Sequence, residues 1–207
     1  MAVLRVVPNL THLKVDAYYI NCDGYRWKRI IDDYLPKLKV FRLRMHIQFP
    51  GKKNNEQHVD QLVDSFRTQF WLEKHQRFIR CCHKSEKDYM SIILYSLPYA
   101  FDDFVLSTLN MAYKSTCPQN NDYYSYTEVN NLRYEHFLAS NYISFTQFFN
   151  IRNISIDLRL DQTLWRNAPI FYQLMSITIF STDAAAQFHL QSLLDRSPCL
   201  NSLIISS

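Results

Sequence analysis

Glycine is almost absent from this chain. The 207 residues contain only Gly24 and Gly51. Tight β-hairpins usually need residues that accept positive φ, and glycine adopts such φ values most readily. The shortage therefore favours helices that alternate with strands through polar loops over a fold made of hairpins.

Other absences restrict the class of protein. No window approaches 18 uninterrupted apolar residues, so we expect no membrane span. The opening MAVLRVV is interrupted by Arg5 and does not resemble a signal peptide. The five cysteines are odd in number and irregularly spaced. These features predict reduced thiols in a cytoplasmic or nuclear protein.

Motifs of enzyme chemistry are also missing. The sequence has no G-x-S-x-G, H-E-x-x-H, P-loop or G-x-G-x-x-G. The densest sulfur and nitrogen cluster is Cys81-Cys82-His83, with His75 upstream. Adjacent cysteines on a strand point to opposite faces and cannot share one zinc ion. We therefore expect no catalytic residues, no metal and no cofactor.

The charge balance is mild. The net charge is +4 and the pI is about 8.7, short of the clustered basic character typical of nucleic-acid binding. Aromatic residues form 15% of the chain, but they mostly occupy core-facing positions and are not interleaved with basic ones. A protein partner fits this composition better than a nucleic acid.

A pattern recurs at both ends of the chain. A bulky aliphatic residue is followed after four residues by proline, and then by Leu-x-x-apolar-x-apolar. Pro36 follows Pro8 by 28 residues, and Pro198 follows Pro36 by 162, which is six times 27. The three copies comprise Val3, Pro8, Leu10, Leu13, Val15; Ile31, Pro36, Leu38, Phe41, Leu43; and Leu193, Pro198, Leu200, Leu203, Ile205.

This period predicts the fold class. About 27 residues lies within the range of leucine-rich repeats. We predict an α/β leucine-rich-repeat-like solenoid, with a curved, largely parallel sheet, helices on the outer face and an irregular middle. One domain would span 1–207, with an irregular or inserted region at 45–128 that could be a β-rich excursion. An ordinary open α/β sheet is the alternative.

Local periodicity places several elements. Trp27, Ile30, Ile31 and Tyr34 share one helical face. An apolar stripe predicts a second helix from about Glu56 to His75. Proline-less copies of the strand pattern recur from residue 129 onward. The stripe consists of Val59, Leu62, Val63, Phe66 and Phe70, and the later strand copies are Val129, Leu132, Tyr134; Ile151, Ile154, Ile156; and Leu174, Ile177, Ile179.

The residues between the apolar strand positions form the candidate binding surface. In a horseshoe they would point outward from the concave face, towards a partner. Ordinary solvation explains them about equally well. The predicted protein-binding residues are Lys14, Asp16, Arg42, Arg44, Arg133, Glu135 and Asp157.

The segments together resemble a known family. NLTHLKVDAYYI, DYLPKLKVFRLRM, LVDSFRTQFWLEKH, ILYSLPYAFDDF, NNLRYEH, FFNIRNISIDL and LLDRSPCLNSL look like the divergent leucine-rich repeats of F-box proteins. That resemblance implies a non-catalytic scaffold that captures substrates for a cullin–RING ubiquitin ligase. In such proteins an F-box docks onto the ligase adaptor, and the two residues before Val3 in this sequence are too few to form one.

The sequence is compatible with three functional hypotheses. The first is a substrate-recognition scaffold that would join a ligase adaptor only in a longer form carrying an F-box. Because the repeat pattern lies at both ends, this hypothesis treats the chain as a fragment of a longer protein. The second is a free-standing interaction protein unrelated to ubiquitin. The third is a small α/β enzyme with an unrecognised site.

Overall fold

The computed structural model divides the chain into two compact units. Unit 1 comprises Met1–Pro98 and Ala112–Asn121, and unit 2 comprises Tyr99–Met111 and Asp122–Ser207. Whether these units together make up the one domain predicted over 1–207 is not tested by this division, and the single domain stays a prediction. The residues that the structure describes are 6–50, 55–75, 77–85, 88–107, 112–118, 126–135, 148–156, 170–180 and 186–206.

The described residues form ten strands, three α-helices and one π-helical turn. Unit 1 carries β1 (His12–Tyr18), α1 (Gly24–Tyr34), β2 (Val40–Pro50), α2 (Asn55–Asp64), the π-turn (Phe70–Lys74), β3 (Phe78–Ser85), β4 (Tyr89–Leu97) and β6 (Ala112–Ser115). Unit 2 carries β5 (Asp103–Ser107), β7 (Asn131–Glu135), β8 (Asn153–Ile156), β9 (Ser176–Ile179), α3 (Ala186–Asp195) and β10 (Ser202–Ile205).

Sheet A of unit 1 has the strand order β1-β2-β4-β3-β6. Only β1 and β2 pair in parallel, and the other three pairs are antiparallel. Strand alternation places Leu43, Met45, Ile92 and Leu94 on one face, where all four are fully buried. They pack with residues of α1, α2 and the π-turn into the core of unit 1.

Helix α1 forms as its sequence pattern predicts. Asp23 caps its start, because its Oδ1 accepts a hydrogen bond from Arg26 N at 2.8 Å. The helix ends at Tyr34, two residues before Pro36. Trp27 and Ile31 are buried. Ile30 and Tyr34, the other members of the predicted face, are partly buried against the same core, so the predicted face is confirmed.

The second predicted helix is interrupted. All five residues of its apolar stripe are buried, but α2 ends at Asp64 and the π-turn begins only at Phe70. Ser65 lies at the break, where its hydroxyl donates to Leu62 O at 2.6 Å and accepts from Gly24 N at 2.7 Å. A hydroxyl bonded to the preceding turn competes with helix continuation, which gives the break a local cause.

Sheet B of unit 2 is wholly parallel, with the strand order β10-β9-β8-β7-β5. The apolar strand positions align in register, with Leu132 beside Ile154, Ile154 beside Ile177 and Ile177 beside Leu203. The strands predicted from the proline-less copies and from the last copy are therefore confirmed as β7 to β10.

A short turn precedes five strands of the two sheets, namely β1, β2, β7, β9 and β10. The amide of an apolar residue donates to the carbonyl three residues earlier, and a strand begins two residues later. The donor–acceptor pairs are Leu10–Val7, Leu38–Leu35, Val129–Tyr126, Leu174–Phe171 and Leu200–Ser197, at 3.0 to 3.2 Å.

The predicted leucine-rich-repeat-like solenoid is wrong. Sheet A is mostly antiparallel and its strands do not follow chain order, whereas a stacked solenoid adds each strand beside the previous one in parallel. The departure begins in the predicted irregular region, where β4 starts four residues after β3 ends. So short a link permits an antiparallel pair and excludes a parallel one, and residues 86–88 form it without glycine.

Candidate protein-binding surface

Four of the predicted binding residues lie together on sheet A. The parallel register places Lys14 beside Arg42, Asp16 beside Arg44 and Tyr18 beside His46. Strand alternation puts these six side chains on the face opposite the core residues Leu43 and Met45. We call this set the polar face of β1 and β2.

Arg44 lies at the centre of this face, between Arg42 and His46 on β2. Its Nε donates to Asp16 Oδ1 at 2.9 Å and its Nη2 to Asp16 Oδ2 at 2.5 Å, a two-point pair that ties β1 to β2. The pKa of Asp16 is lowered, chiefly by the hydrogen bond from Arg44 and further by the positive charges of Arg44, His46 and Lys14, against the opposing effect of burial.

Arg44 lies on the predicted face of β2, but it is more deeply buried than an outward-pointing side chain is expected to be. The residue is only 6% exposed, so it contributes to this face through its hydrogen bonds to Asp16 rather than through its own exposed atoms. Lys14 and Asp16 are exposed, whereas Arg42 is half-buried. Strand parity therefore predicted the face of each residue but not how deeply it is covered.

The carboxyl end of β1 carries an apolar corner. Tyr18, Tyr19 and Ile20 are consecutive, and they are 57%, 74% and 45% exposed. The Tyr18 ring stacks on the His46 ring, with centroids 4.4 Å apart and planes 4° apart. Tyr19 has a φ of 59° and its amide donates to His46 O at 2.8 Å. The left-handed backbone conformation of Tyr19 ends β1. Its hydrogen bond to His46 on β2 fixes the position of the corner.

Sequence reasoning missed this corner. The available signal was three bulky residues in a row between a strand and the polar loop Asn21-Cys22-Asp23-Gly24. They have no core position in the repeat pattern, and Tyr18 falls on the polar parity of β1. Three consecutive large side chains without a core role predict an exposed contact site.

A groove of about 420 Å³ runs from this corner along α1. Its lining includes Ile20, Cys22, Arg26, Arg29 and Asp33. Burial raises the pKa of the Cys22 thiol to about 11. The thiolate is the nucleophilic form of cysteine, so Cys22 lacks the character of a reactive thiol.

A second groove, of about 820 Å³, lies between α1 and the π-turn. Lys28 contacts Asp32 at 3.0 Å and Lys74 lies 3.9 Å from the same carboxylate. The two ammonium groups lie 5.5 and 5.3 Å from the centre of the Phe70 ring. The lining of this groove includes the two carboxylates of Asp32 and Glu73 beside the two ammonium groups.

Cys81 and Cys82 lie on opposite faces of sheet A, as predicted, but both are buried, whereas one of them was expected to be exposed. Cys81 pairs with Leu94 on the core face, and Cys82 Sγ contacts Tyr95 Oη at 3.7 Å on the other. Burial raises the pKa of Cys81 to about 12. Burial and the charge of Lys114 lower that of His83. No group of three or more potential metal ligands occurs in the described part of the chain.

The other predicted binding residues belong to unit 2 or lie outside the described residues. Arg133 is an exposed residue of β7, and its guanidinium lies 6.0 Å from the centre of the Phe180 ring. Glu135 is the last residue of β7, and its side chain is outside the described part. Asp157 lies outside the described residues.

Comparisons with protein-family models, with curated proteins and with solved structures find no match. The resemblance to F-box leucine-rich repeats therefore stays a hypothesis. Within the described residues, no helix is both long and apolar enough to cross a membrane.

Proposed function

We propose that this chain is a non-catalytic protein-binding module whose contact site is the corner formed by Tyr18, Tyr19 and Ile20. The observation that carries the proposal is the exposure of three consecutive large apolar residues at the end of β1. Exposed apolar groups that adjoin one another are typical of protein contact sites, and tyrosine is enriched among the residues that dominate binding energy.

The surroundings of the corner support this proposal. The Tyr18 ring is already stacked on His46, so binding a partner costs little side-chain entropy at that position. Lys14 and Asp16 lie on the same face of β1 and form a charged border. An apolar centre with a polar rim is the usual anatomy of a protein interface.

The finer proposal concerns the partner. The resemblance to F-box proteins supports a role in capturing substrates for a cullin–RING ubiquitin ligase, in the cytoplasm or nucleus. Contact with the ligase adaptor would require an F-box in a longer form of the protein. A free-standing interaction protein would use the same corner without any adaptor.

The test uses affinity capture of the full chain with quantitative mass spectrometry. A Tyr18→Ser, Tyr19→Ser double variant is compared with wild type and with Tyr172→Ser, which changes a tyrosine that is 69% exposed in unit 2. We expect the double variant to lose captured proteins by about tenfold or more, a loss of at least about 1.4 kcal/mol. Tyr172→Ser should retain them.

Two controls make the outcome decisive. Circular dichroism and thermal melting must show that the double variant folds like wild type. Equal capture by all three proteins would contradict the proposal, and so would equal loss in both variants. Co-purification of a ligase adaptor with a longer, F-box-containing form would favour the finer proposal, whereas its absence there would favour the free-standing protein.

A further inference from the structure

Strand β10 leaves apolar residues of sheet B uncovered. Leu203 and Ile205 continue the buried rows of Ile177 and Ile179. Ile177 and Ile179 are fully buried, whereas Leu203 and Ile205 are 43% and 55% exposed. Ile204, between them, is 50% exposed. Of the described strands in sheet B, β10 occupies one edge.

Each step of sheet B uses the same backbone contact. The carbonyl of the residue before a strand accepts hydrogen bonds from two consecutive amides at the start of the next strand. Met175 O, for example, accepts from Asn201 N and Ser202 N, both at 3.0 Å. The same contact is made by the carbonyls of Asp102, Asn130 and Arg152 in sheet B, and by that of Thr11 in sheet A.

The next carbonyl in this series is that of Asn201. No backbone amide of the described residues donates to its oxygen. The edge of β10 therefore presents both an acceptor in the position that starts each new strand and an apolar row that a new strand would cover.

Strand β1 has the features of such a strand. It is preceded by the same turn, because Leu10 N donates to Val7 O at 3.0 Å, as Leu200 N donates to Ser197 O at 3.1 Å before β10. It occupies the end of the described strand order in sheet A. Its alternating residues Leu13 and Val15 are partly buried apolar side chains on the core face.

We propose that β10 of one copy of this chain binds β1 of a second copy, in parallel. The contact series sets the register: Ser202 beside His12, Leu203 beside Leu13, Ile204 beside Lys14 and Ile205 beside Val15. The carbonyl of Asn201 then accepts from the amides of Thr11 and His12 of the second copy.

This geometry has directional consequences. The apolar rows of sheet B continue through Leu13 and Val15, while Ile204 packs on the aliphatic stem of Lys14. The contact joins two different surfaces, so a bound pair of copies leaves one β10 and one β1 available. Contacts of this kind produce concentration-dependent chains unless the rotation closes a ring.

The first test measures mass against concentration by analytical ultracentrifugation. Ile204→Lys places an ammonium group beside Lys14, and like charges directly opposite are destabilising. We expect wild type to associate as concentration rises, and Ile204→Lys to weaken that association by about tenfold or more. Ile170→Lys changes an isoleucine that is 51% exposed and belongs to no described strand, and it should associate like wild type.

A second variant with the opposite charge should rescue the association that Ile204→Lys weakens. Mixing Ile204→Lys with Lys14→Glu restores an opposite-charge pair at the proposed contact, so hetero-association should return in the mixture. A wild type that stays monomeric up to about millimolar concentration, the weak end of specific binding, overturns the proposal. An unaffected Ile204→Lys variant, or a mixture without rescue, also overturns it.

A cross-linking test fixes the register. In a Cys199→Ser background, which removes the exposed native thiol, Lys14→Cys and Ile204→Cys are mixed and oxidised. We expect a disulfide between the two variants, and a smaller yield when His12→Cys replaces Lys14→Cys. A dominant Ile204→Cys homodimer would indicate antiparallel pairing of two β10 strands and would overturn the proposal, as would equal yields at both registers.

Discussion

Asp16 and Arg44 show how a single side-chain pair connects two strands. Arg44 has a 7% exposed side chain and Asp16 a 34% exposed one, so the pair lies at the boundary between surface and interior. Its stabilising effect should exceed that of a fully exposed ion pair, because hydrogen bonds to charged groups strengthen as water is excluded.

Replacing Asp16 tests that effect at the residue scale. Asp16→Asn should lower the free energy of unfolding by about 1–2 kcal/mol at neutral pH, less than for a fully buried pair because Asp16 is partly solvated. Denaturant unfolding followed by circular dichroism measures the change. Asp33→Asn, at an exposed carboxylate of α1, should change stability by less than about 0.5 kcal/mol.

The pH dependence of the same variant has a defined sign. The pKa of Asp16 is lowered from 3.8 in the folded protein, so its contribution is present above that pH and is lost as pH falls through the folded-state pKa. The stability difference between wild type and Asp16→Asn should therefore shrink on acidification below pH 3.8. A difference that grows there would contradict this role.

Burial of apolar residues was the most predictable property at this scale. Trp27 and Ile31 are 2% and 4% exposed, as a helical period of 3.6 requires when one face meets a core. Arg44 was less predictable, because strand parity determines which face a side chain occupies and carries no information about what lies over it. The Tyr18–Ile20 corner was missed because the repeat pattern gives no place to its residues.

At the scale of elements, Gly24 determines how closely α1 approaches the break after α2. A Cβ added at this position would lie 2.6 Å from the Ser65 carbonyl carbon and 2.9 Å from Phe66 N. Gly24 also accepts a hydrogen bond from Trp71 Nε1 at 3.2 Å through its carbonyl oxygen. The backbone of Ser65 and Phe66 therefore leaves no room for a side chain at Gly24.

Gly24→Ala should therefore destabilise unit 1. Alanine favours helices over glycine by about 1 kcal/mol, but the collision is with backbone that cannot rotate away, and such overpacking costs about 1–3 kcal/mol or more. Thermal unfolding should show a net loss of stability. Tyr25→Ala, at the next residue, is the control, because Tyr25 is 54% exposed. A stabilised Gly24→Ala protein would disprove the close approach.

Element positions were predicted best where a pattern and its boundary signal coincide. Helix α1 has an apolar face, an aspartate cap and a following proline, and its prediction was confirmed. The stripe from Val59 to Phe70 predicted burial but not the break at Ser65, because apolar periodicity does not show that the Ser65 hydroxyl bonds to Leu62 O and to the amide of Gly24. The shortage of glycine predicted against hairpins, yet β3 and β4 form one through a link that contains no glycine.

At the scale of the whole molecule, strand order separates the two units. Sheet B adds strands in chain order, apart from β6, which belongs to unit 1, so the repeat pattern of β7 to β10 could be read from sequence alone. Sheet A inserts β4 between β2 and β3, and pairing partners of this kind depend on contacts distant in sequence. The architecture was therefore only half predictable.

Hydrogen exchange of the whole chain should reflect this arrangement. In dilute solution, amides of β9 should exchange more slowly than those of β10, because β9 has described neighbours on both sides and β10 on one. In sheet A, the amides of β4 should likewise exchange more slowly than those of β1, because β4 lies between two described strands and β1 lies at the end of the described order. Mass spectrometry of peptides covering each strand measures the ranking. Equal protection of β9 and β10 at low concentration would contradict the observed sheet order.

The return of the chain to unit 1 at Ala112–Asn121 bears on how the protein is made. Residues leave the ribosome in order, from the amino terminus onward. Strand β3 can pair with β4 early, but its other edge stays uncovered until β6 has been synthesised. Part of unit 2, Tyr99–Met111, emerges before that point. Unit 1 therefore cannot be completed before β6, Ala112–Ser115, has been synthesised. A single cut cannot separate the units without breaking one of them.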